Sequence, residues 1–122
     1  MLEVDPRSQG GNVVLAVRGE FDASNKRVLH AALESAMEDA ERAVVVDLSD
    51  VSFMDSTGLA LMLNAARRLT RRRLGFAVAC PAEGSVRRAF HIAGLDDCFR
   101  ITEDVQDALA GAQPAFSGWP VA

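Results

Sequence analysis

The residues best suited to chemistry are a carboxylate and two hydroxyls in the run Asp55-Ser56-Thr57-Gly58, directly ahead of a helical pattern. The first turn of a helix offers unpaired N–H groups and the positive end of the helix dipole, so it accommodates an anion. Two interpretations stay open. Asp55 or Ser56 caps the helix, which stabilises it by about 1 kcal/mol, or Ser56 accepts a phosphate. Alanine at position 58 would stabilise the helix by about 1 kcal/mol more than glycine does. In the second interpretation, Gly58 leaves the helix start open to the approach of a partner.

The remaining nucleophiles and metal-binding side chains are few and widely spaced. Two cysteines, Cys80 and Cys98, are too few for a disulfide scaffold, and we expect both thiols to be free and buried. With only His30 and His91 beside them, and no CxxC pair, a zinc site is hard to build. Both histidines fall on predicted helices and are interpreted as structural or solvated. We therefore expect no metal.

Enzyme signatures are missing from the sequence. Ser56 lacks the Gly-x-Ser-x-Gly elbow of a hydrolase nucleophile. No Gly-x-x-x-x-Gly-Lys loop is present to cradle phosphates, and the sole lysine is Lys26. The sequence predicts that the protein is not an enzyme and needs no cofactor.

A cluster of arginines near residue 70 raises the alternative of nucleic-acid binding. The chain carries 13 basic and 17 acidic side chains, a net charge of -4, and no aromatic residues interleave with the cluster. Cations at this position suit the negative end of a helix dipole. We therefore expect a solvated helix end and no direct contact with nucleic acid from Arg67, Arg68, Arg71, Arg72 and Arg73.

Apolar periodicity predicts strands that alternate with helices. Short β-branched runs without alternation, such as 43–48, indicate strands covered on both faces. Asp22 or Ser24 is the expected cap of the first helix, Thr102 that of the last, and Gly94 the residue that ends the third. The stretch between 48 and 56, with Phe53 and Met54, is predicted as a loop. The predicted strands are 2–5, 13–17, 43–48, 75–80 and 99–102, and the predicted helices are 24–40, 56–73, 84–93 and 103–109.

These elements define a single α/β domain with a four- to five-stranded, mostly parallel mixed sheet and about four helices. The length of 122 residues, with 49% hydrophobic and 25% charged residues, fits one folded domain. We place the domain at 1–111 and a loose tail at 112–122, where Pro114, Gly118 and Pro120 break any pattern. No apolar run reaches the ~18 residues that span a bilayer, and the N-terminus is unlike a signal peptide, so we expect a cytoplasmic protein without membrane contact.

The segment from Val45 to Leu59 closely resembles the signature of the STAS domain family, and in particular of bacterial anti-sigma factor antagonists. The run Gly19-Glu20-Phe21-Asp22 is similar to the family's Gly-Glu-Leu-Asp, with Phe in place of Leu. Downstream, Val86, Arg87 and Phe90 followed by Gly94-Leu95 resemble the family's third-helix segment. The resemblance covers about residues 10–110, in the family's order and spacing.

The resemblance implies a partner-switching regulator. In such proteins an anti-sigma factor, itself a serine kinase of the histidine-kinase-like ATPase fold, phosphorylates the serine at the position of Ser56. The unmodified antagonist binds that kinase and frees a sigma factor, the phosphorylated form lets go, and a PP2C-type phosphatase restores it. The alternative function within the family is that of a STAS scaffold in a larger stress-signalling complex. We expect the protein itself to be a monomer. The implied partner-binding residues are Phe21, Asp22, Ser24, Asn25, Phe53, Met54, Asp55, Thr57, Gly58 and Leu59.

Overall fold

A computed structural model describes residues 1–111, so the predicted tail with its Trp119 lies outside the described residues. The described part contains five strands and four helices, and a short 3₁₀ turn, Ala23–Asn25, leads into the first helix. The strands are β1 (Leu2–Gln9), β2 (Asn12–Phe21), β3 (Ala43–Met54), β4 (Gly75–Ala79) and β5 (Arg100–Thr102). The helices are α1 (Lys26–Asp39), α2 (Ser56–Arg71), α3 (Ser85–Ile92) and α4 (Val105–Gly111).

The sheet has the order β1-β2-β3-β4-β5. β1 and β2 form an antiparallel hairpin at Gly10-Gly11, where both glycines adopt positive φ (59° and 85°). Every later pair of neighbours is parallel, with a helix in each connection. The predicted class and the mostly parallel mixed sheet are confirmed.

The two faces of the sheet are covered differently. On one face, α1, α2 and α3 pack large side chains such as Leu33, Met62 and Phe90 over the strands. The other face presents small residues, which lie beneath α4 around Ala108. Both faces are covered, which explains why the central strand β3 has a continuous apolar run rather than an alternating one.

Three strands are longer than the sequence pattern predicts. β1 continues to Gln9, β2 to Phe21 and β3 to Met54. The prediction of a loop between 48 and 56 is therefore wrong for most of that stretch. β2 and β3 stay paired to the end, through Gly19↔Val51 and Phe21↔Met54, with register shifts along the way.

One helix end agrees with the predicted chemistry and two differ from it. Gly94 has φ 73°, and the Leu95 N–H donates to the Phe90 carbonyl at 3.0 Å, which confirms the glycine stop of α3. Asp22 caps the 3₁₀ turn, so α1 begins at Lys26 rather than at Ser24. The predicted cap of the last helix by Thr102 is wrong, because Asp104 accepts the hydrogen bond from the Asp107 N–H at 2.9 Å.

The two cysteines and the two histidines differ in their exposure to solvent. Cys80 is buried and Cys98 is half-buried, so the expected burial holds fully only for Cys80, and both thiols are free. Burial raises the pKa of the Cys80 thiol. His30 and His91 are exposed on α1 and α3. Among the helices of residues 1–111, none is long and apolar enough to cross a membrane.

Candidate functional site

Ser56 is the first residue of α2 and is exposed. The helix is capped by Asp55, whose Oδ1 accepts hydrogen bonds from the N–H groups of Thr57 at 3.0 Å and Gly58 at 3.4 Å. Within the described residues, no side-chain hydrogen bond engages the Ser56 hydroxyl. Of the two capping alternatives Asp55 is the observed one, and the cap leaves the Ser56 oxygen accessible.

The junction between β2 and α1 is held by a capping box. The Asp22 carboxylate accepts hydrogen bonds from the Ser24 hydroxyl at 2.5 Å and the Ser24 N–H at 2.9 Å. In return, Asn25 accepts from the Asp22 N–H at 3.1 Å and donates to the Glu20 carbonyl at 2.8 Å. The Ser24 hydrogen bonds lower the pKa of Asp22, which keeps this exposed carboxylate charged.

The sheet brings these two junctions together. β2 and β3 are parallel neighbours whose last paired residues are Phe21 and Met54. Adjacent strands lie about 4.8 Å apart, so the residues that follow them, Asp22 and Asp55, leave the same edge of the sheet side by side. Ser56, which follows Asp55, therefore lies next to two acidic junctions.

Gly58 has a different role from the predicted one. It is buried, and a Cβ at this position would lie 2.6 Å from Met54 Cγ and 2.8 Å from Phe21 Cδ1. The glycine lets the first turn of α2 press onto the ends of β2 and β3. The prediction that Gly58 leaves the helix start open to a partner is wrong, because its missing side chain is directed into the core.

The predicted contact residues divide into a supporting layer and an exposed layer. Phe21, Met54, Gly58 and Leu59 are buried, so they position the site and have no surface to offer as direct contacts. Asn25 and Asp55 are half-buried and hold the two junctions. We call the outer layer the Ser56 surface, which consists of the exposed Asp22, Ser24, Phe53 and Ser56 together with the half-buried Thr57.

Phe53 is the aromatic residue of the Ser56 surface. Its side chain is 49% exposed, and its position on β3 is paired with Glu20 of β2. An exposed aromatic ring next to charged groups is typical of a protein-binding surface. This arrangement can bind a partner, whereas nothing on it is arranged to activate the Ser56 oxygen as a nucleophile.

A groove next to the Ser56 surface was not predicted from the sequence. It lies between α1 and α2 and has a volume of about 510 Å³. The available signal was the pair Lys26-Arg27 at a helix start, where acidic residues are favoured over cations. We call it the basic groove, and its lining residues are Lys26, Arg27, His30, Thr57, Ala60, Leu61 and Asn64.

A five-stranded mixed sheet with an exposed serine at the start of its second helix is the architecture of a STAS domain. The model of the STAS domain family matches residues 3–108, so the chain belongs to this family. Among its curated relatives is the anti-sigma-F factor antagonist RsfB of Mycobacterium tuberculosis, which is 34% identical over 113 residues, 92% of this chain and 90% of the relative. The relatives are named as anti-sigma factor antagonists, in agreement with the prediction that the chain is not an enzyme.

Solved structures agree with this assignment. An anti-sigma factor antagonist from Mycobacterium paratuberculosis superposes with a TM-score of 0.81 at 28% identity, covering 92% of this chain and 94% of that one. The unphosphorylated form of the anti-sigma factor antagonist SpoIIAA gives a TM-score of 0.73 at 23% identity, covering 88% and 93%. The second comparison establishes a shared fold.

Proposed function

We propose that the protein is an anti-sigma factor antagonist that binds an anti-sigma factor while Ser56 is unmodified and thereby releases a sigma factor. The observation that carries this proposal is the exposed Ser56 hydroxyl, left unoccupied by the Asp55 cap, in a surface with an exposed aromatic residue. The names of the relatives support it, since they are antagonists of anti-sigma factors.

We further propose that the anti-sigma factor is a serine kinase of the histidine-kinase-like ATPase fold, which switches the antagonist off by phosphorylating Ser56. A PP2C-type phosphatase then restores the unmodified form. SpoIIAA, which shares the fold, has been solved in its phosphorylated form as well. The modification itself suits the site, because a helix N-terminus tolerates a phosphate in the isolated protein.

Electrostatics gives the switch its direction. Phosphoserine adds about -1.5 to -2 charges at neutral pH. At ~6 Å from one carboxylate, a charge of -2 is repelled by roughly 1 kcal/mol in water and by about 5 kcal/mol at an effective dielectric of 20. The helix dipole offsets only about 0.3–1 kcal/mol. Water screens the phosphate beside Asp22 and Asp55 in the free protein, whereas a tight interface removes that water.

The switch therefore acts on affinity and leaves the fold intact. The Asp55 cap and the Asp22 capping box do not use the Ser56 oxygen, so a phosphate displaces none of the hydrogen bonds that hold the site. A loss of roughly 3 kcal/mol at the interface weakens binding by more than a hundredfold.

The test is calorimetric titration of the purified protein with each anti-sigma factor kinase encoded in its own genome. We expect one kinase to bind wild type and Ser56→Ala with similar affinity, and to bind Ser56→Asp and the phosphorylated protein at least about a hundredfold more weakly. Ser35→Asp is the matched control, since it adds the same charge to an exposed residue of α1 away from the Ser56 surface. Equal affinity before and after phosphorylation would overturn the proposal.

A further inference from the structure

The basic groove contains two positive charges, those of Lys26 and Arg27, that do not stabilise the fold. Lys26 and Arg27 occupy the first turn of α1, which contains no acidic residue. Cations at this position oppose the helix dipole, so helix stability does not favour them. Within residues 1–111, no carboxylate lies within 4 Å of the Lys26 ammonium or the Arg27 guanidinium, in contrast to Arg68 of α2, which pairs with Glu34. In a chain of net charge -4 these two cations are available to an external anion.

The position and rigidity of the groove determine which kind of anion can bind there. Its lining includes Thr57, the residue after Ser56. Farther along the two helices, Arg68 of α2 binds both carboxylate oxygens of Glu34 of α1, and Arg72 donates to the Met37 carbonyl at 2.7 Å. These contacts fix the distance between α1 and α2, so the groove is a preformed feature of the fold.

The walls of the groove differ in polarity. The α1 side presents Lys26 and Arg27, and the α2 side presents the exposed Ala60 and Asn64 together with the small exposed part of the mostly buried Leu61. A bare phosphate would use the cations and leave the apolar wall without a partner. A protein segment that carries both carboxylates and aliphatic groups would use both walls.

We propose that the basic groove binds an acidic segment of the anti-sigma factor, in which carboxylates pair with Lys26 and Arg27 while an apolar side chain packs on Ala60 and Leu61. This inference rests on the proposed function and extends its interface from the Ser56 surface into the groove. It also adds a second route for the switch. A phosphate on Ser56 places negative charge beside the bound carboxylates and competes with them for the same two cations.

The experiment reverses the charges of Lys26 and Arg27 on α1 and compares this double variant with a matched double variant on α2. Lys26→Glu/Arg27→Glu changes the groove, whereas Arg67→Glu/Arg71→Glu makes the same charge change at exposed positions of α2 outside the groove. The probe is the purified anti-sigma factor that retains the unmodified protein in the Ser56 experiment, titrated at low and at physiological salt. We expect the groove variant to bind about tenfold to a hundredfold more weakly, with a flatter salt dependence than wild type. The control pair is expected to stay within about threefold of wild type, since charges outside the contact contribute little.

The outcomes separate the two proposals. If wild type binds and is released by Ser56 phosphorylation while the groove variant binds as tightly as wild type, the groove inference is overturned and the proposed function stands. If no anti-sigma factor binds wild type, both fail. Circular dichroism and thermal melting check folding, and should the reversal variant melt early, Lys26→Gln/Arg27→Gln decides the question in its place. Binding of ATP alone to wild type, lost in the groove variant, would assign the groove to a nucleotide and overturn the inference.

Discussion

At the scale of single residues, the residue that caps α2 differs from the residue that we propose is phosphorylated. The Asp55 carboxylate accepts hydrogen bonds from the first N–H groups of α2, so the neighbouring Ser56 hydroxyl is not needed to cap the helix. A serine that capped the helix itself would lose its hydrogen bonds on phosphorylation, and the modification would weaken the fold. The order Asp-Ser-Thr therefore allows Ser56 to be modified and restored without cost to the helix.

Gly58 provides a test of how closely the supporting layer is packed. Gly58→Ala places a methyl group 2.6 Å from Met54 Cγ, while Phe21 blocks the alternative direction at 2.8 Å. Overpacking costs about 1–3 kcal/mol and exceeds the gain of up to about 1 kcal/mol in helix propensity, so we expect a net loss of about 1–2 kcal/mol in the free energy of unfolding. Urea denaturation measures this loss.

Two further variants make the Gly58 test specific. Asn64→Ala, at an exposed position of the same helix, is expected to leave the stability unchanged or slightly higher, since alanine is the better helix former. In a Met54→Ala background, Gly58→Ala is expected to cost less than in wild type, because one of the two clashing side chains has been removed while Phe21 remains. A midpoint for Gly58→Ala equal to or above that of wild type would contradict the packing argument.

The chemistry of the helix start could be predicted from the sequence better than the packing beneath it. The hydroxyl and carboxylate pattern at 55–57 depends on local helix chemistry, which is readable from adjacent residues. The role of Gly58 depends on Phe21, 37 positions earlier, and this contact exists only because β2 and β3 end at the same edge. A local reading of the glycine as an opening was therefore wrong for a reason that lies outside any short window.

At the scale of elements, the extension of β3 determines where the site stands. Its second half, from Asp50 to Met54, pairs only with β2, so these two strands carry the site beyond the end of β4. Ser49, Asp50 and Ser52 are exposed polar residues, which is why the sequence suggested a loop. Long helices with a complete apolar stripe, such as α2, were predicted well, because their burial pattern repeats over four turns.

Arg87 joins three elements, and its loss tests how α3 is anchored. From α3, its guanidinium donates to the carbonyl of Cys80 at 2.7 Å and to the carbonyl of Thr102 at 3.1 Å, so it binds the ends of β4 and β5 together. Hydrogen bonds from a charged donor contribute about 1.5–3 kcal/mol, so we expect Arg87→Met to lower the free energy of unfolding by roughly 2 kcal/mol.

The control for Arg87 is its neighbour on the same helix. Arg88 is exposed and its side chain makes no hydrogen bond within the described residues, so Arg88→Met is expected to change stability by less than about 0.5 kcal/mol. Chemical denaturation of the two variants in parallel provides the comparison. Similar stabilities for both would show that the Arg87 hydrogen bonds do not anchor α3.

At the scale of the whole molecule, the two edges of the sheet in residues 1–111 have features that discourage self-association. The edge strand β1 carries Pro6 and charged residues such as Asp5 and Arg7, and the opposite edge strand β5 has three residues. Proline and charges on an edge discourage pairing with another sheet. The large exposed apolar side chains of the described residues are distributed over different segments, with Met1 ahead of β1, Val28 on α1, Phe53 on β3 and Ile92 on α3.

This surface leads to a prediction that separates the proposed antagonist from a STAS scaffold in a larger stress-signalling complex. A scaffold needs faces that join copies of the chain, whereas the antagonist needs one surface for one kinase. We expect analytical ultracentrifugation to give a monomer near the chain mass of 13.1 kDa, and an equimolar complex with each kinase subunit when the anti-sigma factor is added. Phe53→Ala is expected to abolish or weaken the complex and leave the monomer unchanged, because the exposed ring belongs to the Ser56 surface and not to the core. Sedimentation of the free protein as a large assembly would favour the scaffold, because it would show that the edge strands β1 and β5 do not prevent copies of the chain from associating.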